Sequence, residues 1–363
     1  MKVKKLYYVF FILLFMVNDL IFADVNIRLV DRFPISQEKA YLTAYHFAVT
    51  EDELFIVPHA QEGHLKLYEN SGDLYKTIGR KGPGPEEFVL PGSCDYKNPY
   101  FAILDTGKHR VLILKKNRND DFKRINKLLC LGAPQNIKLY KENVIIGDYI
   151  RSKNGKGYNL YMKDFNDQKI RYLLPDYAKY GFSSEKEYKS KYPEIAKATS
   201  GFAFFDVYND HVYYAWEGRA KIIKIDLNTM KREVFGKDTE NYIKPSVTPR
   251  IRKAYERILE GEVITTERMK MSWIRGVFAD ERYSMILYTN LDKESDLWRA
   301  TLQFYDSEGE YIREVNLSDA VDYRNSGPAC FYDRENHYLY ILSACLREKD
   351  FMDEYEVLKY EIR

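Results

Sequence analysis

The chain has 363 residues, of which 45% are hydrophobic and 30% are charged, which is ordinary for a globular protein with a sizeable core. The formal charge is +2, and it falls to zero if residues 1–23 are removed. This balance excludes the basic excess that nucleic-acid binding requires, so no nucleic-acid partner is predicted. Aromatic residues make up 15% of the chain, with 32 Tyr, and this favours β-structure.

The first residues have the pattern of a secretory signal peptide, predicted to cover residues 1–23. Three of the first five residues are lysines, an apolar run follows at residues 6–17, and the small residue Ala23 precedes the expected cleavage point. The run is shorter than the roughly 20 residues that span a bilayer. A retained N-terminal anchor and a buried segment are the alternatives. We therefore expect an exported protein, periplasmic or extracellular, with no membrane span after cleavage.

Six segments of the remaining chain share one pattern: an alternating apolar strand, a loop, a second alternating strand, a short polar turn and a third strand. The alternation is clear in "KIIKI" (residues 221–225) and "YLYIL" (residues 338–342). Turns such as "ENSGD" and "DSEGE" contain residues that favour turn geometry. A further strand precedes each unit, and repeats of about 40 to 50 residues with four strands are typical of propeller blades.

The sequence therefore predicts an all-β fold, a six-bladed β-propeller of four-stranded blades, as a single domain at residues 24–363. The last unit lacks the outer strand that the other units have, whereas residues 25–33 form an alternating strand with no partner of their own. Because an unpaired strand edge can recruit other chains, we predict that residues 25–33 close the ring as the outermost strand of the last blade. The blades are expected at about residues 40–79, 88–131, 135–174, 201–236, 273–317 and 328–363.

The glycine-rich stretch "IGRKGPGPEEFVLPG" (residues 78–92) is predicted to cross between two blades rather than to bind phosphate. A phosphate loop needs backbone N–H donors and a following helix. Here Pro83 and Pro85 remove two donors, and residues 88–95 lead into another strand. Glycine supplies unusual backbone angles at such a crossing and proline fixes the path.

The same region, residues 79–114, resembles an NHL repeat, in which a Gly-rich linker, a Phe-x-x-Pro step and an Asp-x-x-x-x-Arg-Val turn recur in each blade. The matching residues are Phe88, Pro91, Asp105, His109, Arg110 and Val111. The other units match only in strand rhythm, so the chain is similar to divergent exported six-bladed propellers related to NHL and TolB-like domains. The resemblance implies the fold. It implies little about activity, since that family contains mostly binding scaffolds, with a few lyases and hydrolases among its relatives.

Two wide gaps between the units hold segments that look helical, at residues 184–199 and 248–260. Thr248 as an N-cap and Pro249 at the first helical position support the second segment. Both segments lie between the outer strand of one blade and the inner strand of the next. We therefore expect both insertions on the same face of the disc.

That face also carries the long loops between the second and third strands, so it is the predicted binding surface. Tryptophan and arginine are frequent at binding hot spots. The alternatives are that the tryptophans cap the blade cores and that Arg151, Arg219 and Arg275 form structural salt bridges. The candidate ligand-binding residues are Tyr149, Arg151, Trp216, Arg219, Trp273, Arg275, Trp298 and Arg299.

No catalytic residue, metal ligand set or cofactor is predicted. The histidines form no His-x-His or His-Glu-x-x-His pattern, and no Gly-x-Ser-x-Gly elbow is present. Three histidines, His109, His211 and His337, are interpreted as structural. The other three, His46, His59 and His64, are scattered through the first blade. Residue spacing leaves open a metal centre assembled at the axis from several blades.

The four cysteines form no CxxC pair, which gives zinc and thioredoxin-like sites no support. We interpret them as buried free thiols or as one disulfide, which an exported protein would permit. They are Cys94, Cys130, Cys330 and Cys345.

Three functions are compatible with these features. The first is an exported, monomeric binding scaffold that recognises a protein, peptide or glycan on the face with the long loops. The second is a metal-dependent enzyme of lyase or lactonase type, with its centre at the axis. The third is a structural partner in an envelope complex.

Overall fold

The computed structural model of this chain is a six-bladed β-propeller, which confirms the predicted fold. Each blade is a four-stranded antiparallel sheet, and helix is almost absent from the described residues. No helix among these residues is long and apolar enough to cross a membrane. The structure describes residues 25–35, 46–85, 87–117, 121–152, 154, 156–167, 169–179, 184, 186, 204–216, 219–244, 271–292, 294–295, 297–322, 329–344 and 355–363. Residues 1–23, Cys345 and nearly all of the two predicted helical insertions lie outside these ranges.

The strands follow the chain order from the axis outwards, except that β1 (Ile27–Ile35) belongs to the last blade. Blade 1 consists of β2 (Ala48–Val49), β3 (Phe55–His59), β4 (His64–Tyr68) and β5 (Leu74–Ile78). Blade 2 consists of β6 (Pro91–Lys97), β7 (Tyr100–Asp105), β8 (Arg110–Lys116) and β9 (Phe122–Leu129). Blade 3 consists of β10 (Asn136–Tyr140), β11 (Asn143–Arg151), β12 (Gly157–Asp164) and β13 (Ile170–Pro175).

Blade 4 consists of β14 (Phe204–Tyr208), β15 (His211–Trp216), β16 (Arg219–Asp226) and β17 (Arg232–Phe235). Blade 5 consists of β18 (Trp273–Ala279), β19 (Ser284–Asp292), β20 (Leu297–Tyr305) and β21 (Tyr311–Asp322). Blade 6 consists of β22 (Ala329–Asp333), β23 (Tyr338–Ala344), β24 (Tyr355–Ile362) and β1. A 3₁₀ turn (Thr106–Lys108) follows β7, and one short helix, α1 (Asp176–Lys179), follows β13.

The N-terminal strand closes the ring as predicted. Strand β1 pairs antiparallel with β24, with Ile27 opposite Ile362 and Ile35 opposite Tyr355. The strand therefore runs two residues further than the predicted end at residue 33. Its side chains join the apolar core between blades 6 and 1, so the closure contributes buried area as well as backbone hydrogen bonds.

The alternating apolar pattern follows from the stacking of the blades. Each inner strand lies between two neighbouring blades, and successive side chains of a strand point to opposite faces of its sheet. Both sets of side chains are therefore covered. Ile145 packs in the core between blades 3 and 4, and its neighbour Ile146 packs in the core between blades 2 and 3. Within the described part of the chain, an apolar cluster of this kind fills each of the six spaces between neighbouring blades.

The glycine-rich stretch joins blade 1 to blade 2 and is organised by side chains of blade 2. Asp105, at the end of β7, accepts a hydrogen bond of 3.0 Å from the Leu90 N–H. Arg110, at the start of β8, donates to the carbonyl groups of Pro85 and Glu87. Carbonyl groups of the stretch therefore point at a buried guanidinium group, so this part of the crossing presents acceptors rather than the donors that a phosphate would need.

Candidate functional site

The two faces of the disc are built differently. In each antiparallel blade, the first and third strands begin, and the second and fourth strands end, at one edge, which we call the crossing face. The strand boundaries place the longest connections there: residues 36–47, 79–90, 176–203, 236–272 and 345–354. The two predicted helical insertions fall within 176–203 and 236–272, so both connections start and end on this face.

The opposite face is closed by short turns that satisfy their own hydrogen bonds. In several of them an aspartate side chain accepts bonds from backbone N–H groups two to four residues further on, as Asp226 does from Asn228 and Thr229. Such turns leave few groups for a partner. The aspartates in these turns are Asp164, Asp226, Asp280, Asp306 and Asp333.

Two of the candidate binding residues are exposed on the crossing face. Arg151 ends β11 and Arg219 begins β16, so the two arginines lie at the same edge of neighbouring blades. Trp216 ends β15 but is buried in the core between blades 3 and 4. Tyr149 lies in β11, and its side chain is outside the described part of the structure.

Three other candidates meet in one buried cluster at the crossing face of blade 5. The ring centroids of Trp273 and Trp298 are 5.5 Å apart, and the indoles are 8% and 1% exposed. The guanidinium carbon of Arg275 lies 4.8 Å from the Trp273 ring centroid, and its Nε donates to Thr289 Oγ1 at 3.1 Å. These contacts agree with the alternative in which the tryptophans cap the blade core, and a binding role for them stays a prediction.

The last candidate, Arg299, lies at the connection between the second and third strands of blade 5, and such connections were expected to be long loops. Strands β19 and β20 stay paired as far as Asp292 and Leu297, so residues 289–292 and 297–300 are strand. Arg299 lies in β20, and its Nε donates to Asp292 Oδ2 at 2.8 Å. Hydrogen bonds from Arg299 and Ser295 lower the pKa of Asp292 to about 2. Arg299 therefore forms a salt bridge within its own hairpin.

A group of exposed aliphatic side chains on the crossing face was not predicted. Val89, Leu90, Leu129 and Leu131 are 39%, 43%, 56% and 50% exposed, and we call them the blade 2 apolar patch. Their backbones are tied to the 3₁₀ turn between β7 and β8. The Thr106 N–H donates to Leu90 O at 3.0 Å. The Cys130 N–H, between the two patch leucines, donates to the His109 carbonyl at 2.7 Å.

The axis is crossed by ion pairs between blades. Lys138 Nζ lies 3.1 Å from Asp95 Oδ1, and Arg334 pairs with Asp206 from two blades away. Burial raises the pKa of Asp206, but the positive charges of Arg334 and Lys138 outweigh this effect and hold it below its usual range. The carboxylates of Asp95 and Asp206 are therefore paired with basic side chains. The enzyme hypothesis expected carboxylates at the axis to converge as ligands of a metal ion instead.

At the crossing-face end of the axis, the first strands of opposite blades meet. The His46 ring, just before β2, contacts Phe204 of β14, with ring centroids 6.2 Å apart. Burial and the positive charge of Lys138 lower the pKa of His46 to about 3. His46 is therefore a neutral residue at the axis near pH 7.

The described cysteines are free thiols: Cys94 and Cys330 are buried and Cys130 is partly buried. Burial raises the pKa of Cys130 and of Cys330 to about 12. These thiols are therefore protonated and unreactive at neutral pH.

One group of histidine and carboxylate side chains in the described residues has converging metal-binding atoms. His59, Glu62 and His64 lie on the β3–β4 hairpin at the crossing face, and their ligand atoms are within 4.8 Å of one another. Sequence reasoning treated the two histidines as scattered. The signal that it missed is a pair of histidines placed opposite each other across a turn that contains a glutamate.

No family model matches the chain, and no curated protein matches it either. Solved structures share its fold. A member of the DUF4221 family from Bacteroides vulgatus ATCC 8482 is similar with a TM-score of 0.64 at 11% identity, over 93% of this chain and 98% of that one. A protein from Bacteroides fragilis NCTC 9343, inferred to be exported, is similar with a TM-score of 0.60 at 14% identity, over 94% and 98%. At such identities the likeness concerns the propeller fold alone, and the resemblance to NHL repeats stays one of local pattern.

Proposed function

We propose that this propeller is a binding scaffold that holds a protein or peptide against its crossing face. The observation that carries the proposal is the blade 2 apolar patch. Its exposed aliphatic side chains belong to two backbone segments that are hydrogen-bonded to the same 3₁₀ turn region, at the face that also receives the longest connections. Groups of exposed apolar side chains mark interaction sites more often than single ones do.

The chemistry of the patch favours one class of partner. Aliphatic side chains gain by burying the apolar side chains of a protein or peptide, and they offer no hydrogen bond to the hydroxyl groups of a glycan. Arg151 and Arg219 add exposed positive charge on the next two blades of the same face. The preferred partner is therefore a protein segment with apolar residues and nearby acidic groups, and a glycan is the alternative outcome of the test.

Export supports the same function. Residues 1–23 have the pattern of a signal peptide, and a protein of the same fold is inferred to be exported. In the periplasm or outside the cell, the crossing face would meet extracytoplasmic proteins.

The test is a selection of peptides from a displayed random library on the immobilised mature chain. We expect enriched peptides whose affinity falls at least tenfold for the double variant Leu90→Asp/Leu131→Asp. The matched control is Val234→Asp, which changes an equally exposed valine on the outer strand of blade 4 and should leave the affinity unchanged. Failure to enrich any peptide, or peptides that bind the double variant equally well, would count against the proposal, and a parallel glycan array tests the alternative.

A further inference from the structure

We propose that the β3–β4 hairpin of blade 1 is a binding site for a divalent transition-metal ion. Its protein ligands are His59, Glu62 and His64, each of which offers one ligand atom within 4.8 Å of the other two. The distances to the Glu62 carboxylate point to Nδ1 of His59 and Nε2 of His64 as the ligand atoms. This site is distinct from the blade 2 apolar patch and from the axis. Its failure would leave the proposed binding function unaffected, and the reverse also holds.

The backbone of the hairpin brings the three side chains together. His59 ends β3 and His64 begins β4, and they are directly opposite partners in the antiparallel ladder. Partners of this kind project to the same side of the sheet with their Cβ atoms about 5 Å apart. The two imidazole rings accordingly stack, with centroids 5.6 Å apart and planes 22° apart.

The turn then folds Glu62 back over the two rings. The N–H groups of Glu62 and Gly63 both donate to the His59 carbonyl, at 3.1 and 2.9 Å. Glu62 Oε2 consequently lies 2.8 Å from His64 Nε2 and 3.7 Å from His59 Nδ1. Although so close, His64 Nε2 lacks the alignment of a hydrogen bond with this oxygen. Tetrahedral zinc sites need ligand atoms about 3.3 Å apart, so small side-chain rotations would complete the geometry.

Neighbouring groups hold the site in place. The Nε2 atom of buried His59 is 3.1 Å from the Tyr68 hydroxyl oxygen. With Nδ1 as the metal ligand, Nε2 carries the proton and donates a hydrogen bond to that oxygen. Such a bond to the far nitrogen of a ligating histidine orients the ring and tunes metal affinity. The turn is clamped from the crossing between blades 1 and 2, because Lys81 Nζ donates to Gln61 O at 2.9 Å.

The donor set selects the metal. Two imidazole nitrogens and one carboxylate suit zinc and its neighbours in the first transition series, whereas magnesium and calcium prefer oxygen ligands alone. Three protein ligands leave one coordination position open. Glu62 is partly exposed at the crossing face, so an ion there would be accessible to solvent and to small ligands.

Lys66 provides a way to separate this site from a simple ion-pair cluster. Its Nζ lies 3.4 Å from Glu62 Oε2, so the ammonium group competes with a metal ion for the same carboxylate. A bound dication would also be repelled by the ammonium group. Replacing Lys66 by methionine should therefore tighten metal binding. If the carboxylate serves only to pair with Lys66, the same change creates no metal affinity.

The experiment uses the mature chain, purified without a histidine tag and stripped with a chelator, and titrates it with zinc chloride by calorimetry. We expect one equivalent of zinc, no comparable binding of magnesium, and at least about tenfold weaker binding in Glu62→Gln and in His64→Asn. Lys66→Met should bind more tightly than the parent. The matched control is His211→Asn. Like His64, His211 is the first residue of a strand, here β15 of blade 4, and this variant should bind zinc like the parent.

Protein stability provides a second readout that does not depend on calorimetry. Zinc should raise the melting temperature of the parent and of Lys66→Met, because a ligand that binds only the folded state stabilises it. It should not do so for Glu62→Gln, whose partly exposed side chain can be changed without disturbing the fold. The absence of saturable zinc binding by the parent, or equal zinc affinity in Glu62→Gln and His64→Asn, would overturn the proposal.

Discussion

Nη2 of Arg110 lies 3.3 Å from Oδ2 of Asp105 in the interior of blade 2. This ion pair connects the crossing between blades 1 and 2 to the sheet of blade 2. Asp105 accepts the Leu90 N–H, while Arg110 donates to carbonyl groups of the same crossing. Both side chains are almost fully buried. The two side chains therefore supply hydrogen-bond partners, in place of water, to backbone groups of a stretch that lies outside the regular sheet.

Removing one member of this pair should be costly. We expect Arg110→Met to lower the free energy of unfolding by about 3–5 kcal/mol, because it leaves the Asp105 carboxylate buried without its partner. The control is Arg28→Met, which removes an exposed pair with Glu361 and should cost less than about 1 kcal/mol. Urea unfolding measures both, and equal unfolding midpoints for the two variants would contradict the structural role of the pair.

Closure of the ring by β1 should protect the protein from aggregation. Deleting residues 25–35 exposes the backbone edge of β24 and removes Phe33 and Ile35 from the core between blades 6 and 1. We expect aggregation or a large drop in melting temperature, because an open strand edge pairs with other chains. Light scattering after size-exclusion chromatography measures the outcome. The control chain begins at Val25, and a deletion variant that behaves like it would refute the closure argument.

The buried tryptophan cluster should respond to mutation differently from the exposed arginines. We expect Trp298→Ala to cost about 3–5 kcal/mol of unfolding free energy, because it opens a cavity beside Trp273. For the double variant Arg151→Ala/Arg219→Ala, each substitution should change the free energy of unfolding by no more than about 0.5 kcal/mol, since both side chains are exposed. Thermal unfolding distinguishes these outcomes. A Trp298→Ala variant as stable as the parent would argue that the indole does not cap the core.

His46 should make the fold sensitive to mild acid. Burial and Lys138 lower its pKa from 6.5 to about 3 in the folded state. Between these two values the unfolded chain binds the extra proton, so the stability from this group is complete above about pH 6.5 and is lost as the pH falls towards 3. We expect His46→Phe to lose less stability than the parent between about pH 7.5, which lies above that window, and about pH 5, which lies within it.

The measurement is urea unfolding at the two pH values. A His46→Phe variant that keeps the pH dependence of the parent would show that the neutral axial histidine is not a source of the acid sensitivity.

The sequence by itself determined the propeller, its six blades and the strand that closes it. This was possible because each blade is local in the chain, and its strands alternate with a period of two between the two cores that cover them. The pairing of residues 25–33 with the last blade was predictable for a similar reason. In the sequence, the last blade has no outer strand of its own, and residues 25–33 form a strand that precedes the first blade and has no partner there.

Only the tertiary structure decided which side chains meet at the axis and on the crossing face. Asp206 and Arg334 are separated by 128 residues, and no local pattern marks them as partners. Trp and Arg at the ends of strands look the same in sequence whether they cap a core or face solvent, and the packing of blade 5 buried Trp273 and Trp298 while Arg151 stayed exposed. The convergence of His59 and His64 depends on the register of one hairpin, where a shift by one residue would have turned the two side chains to opposite faces.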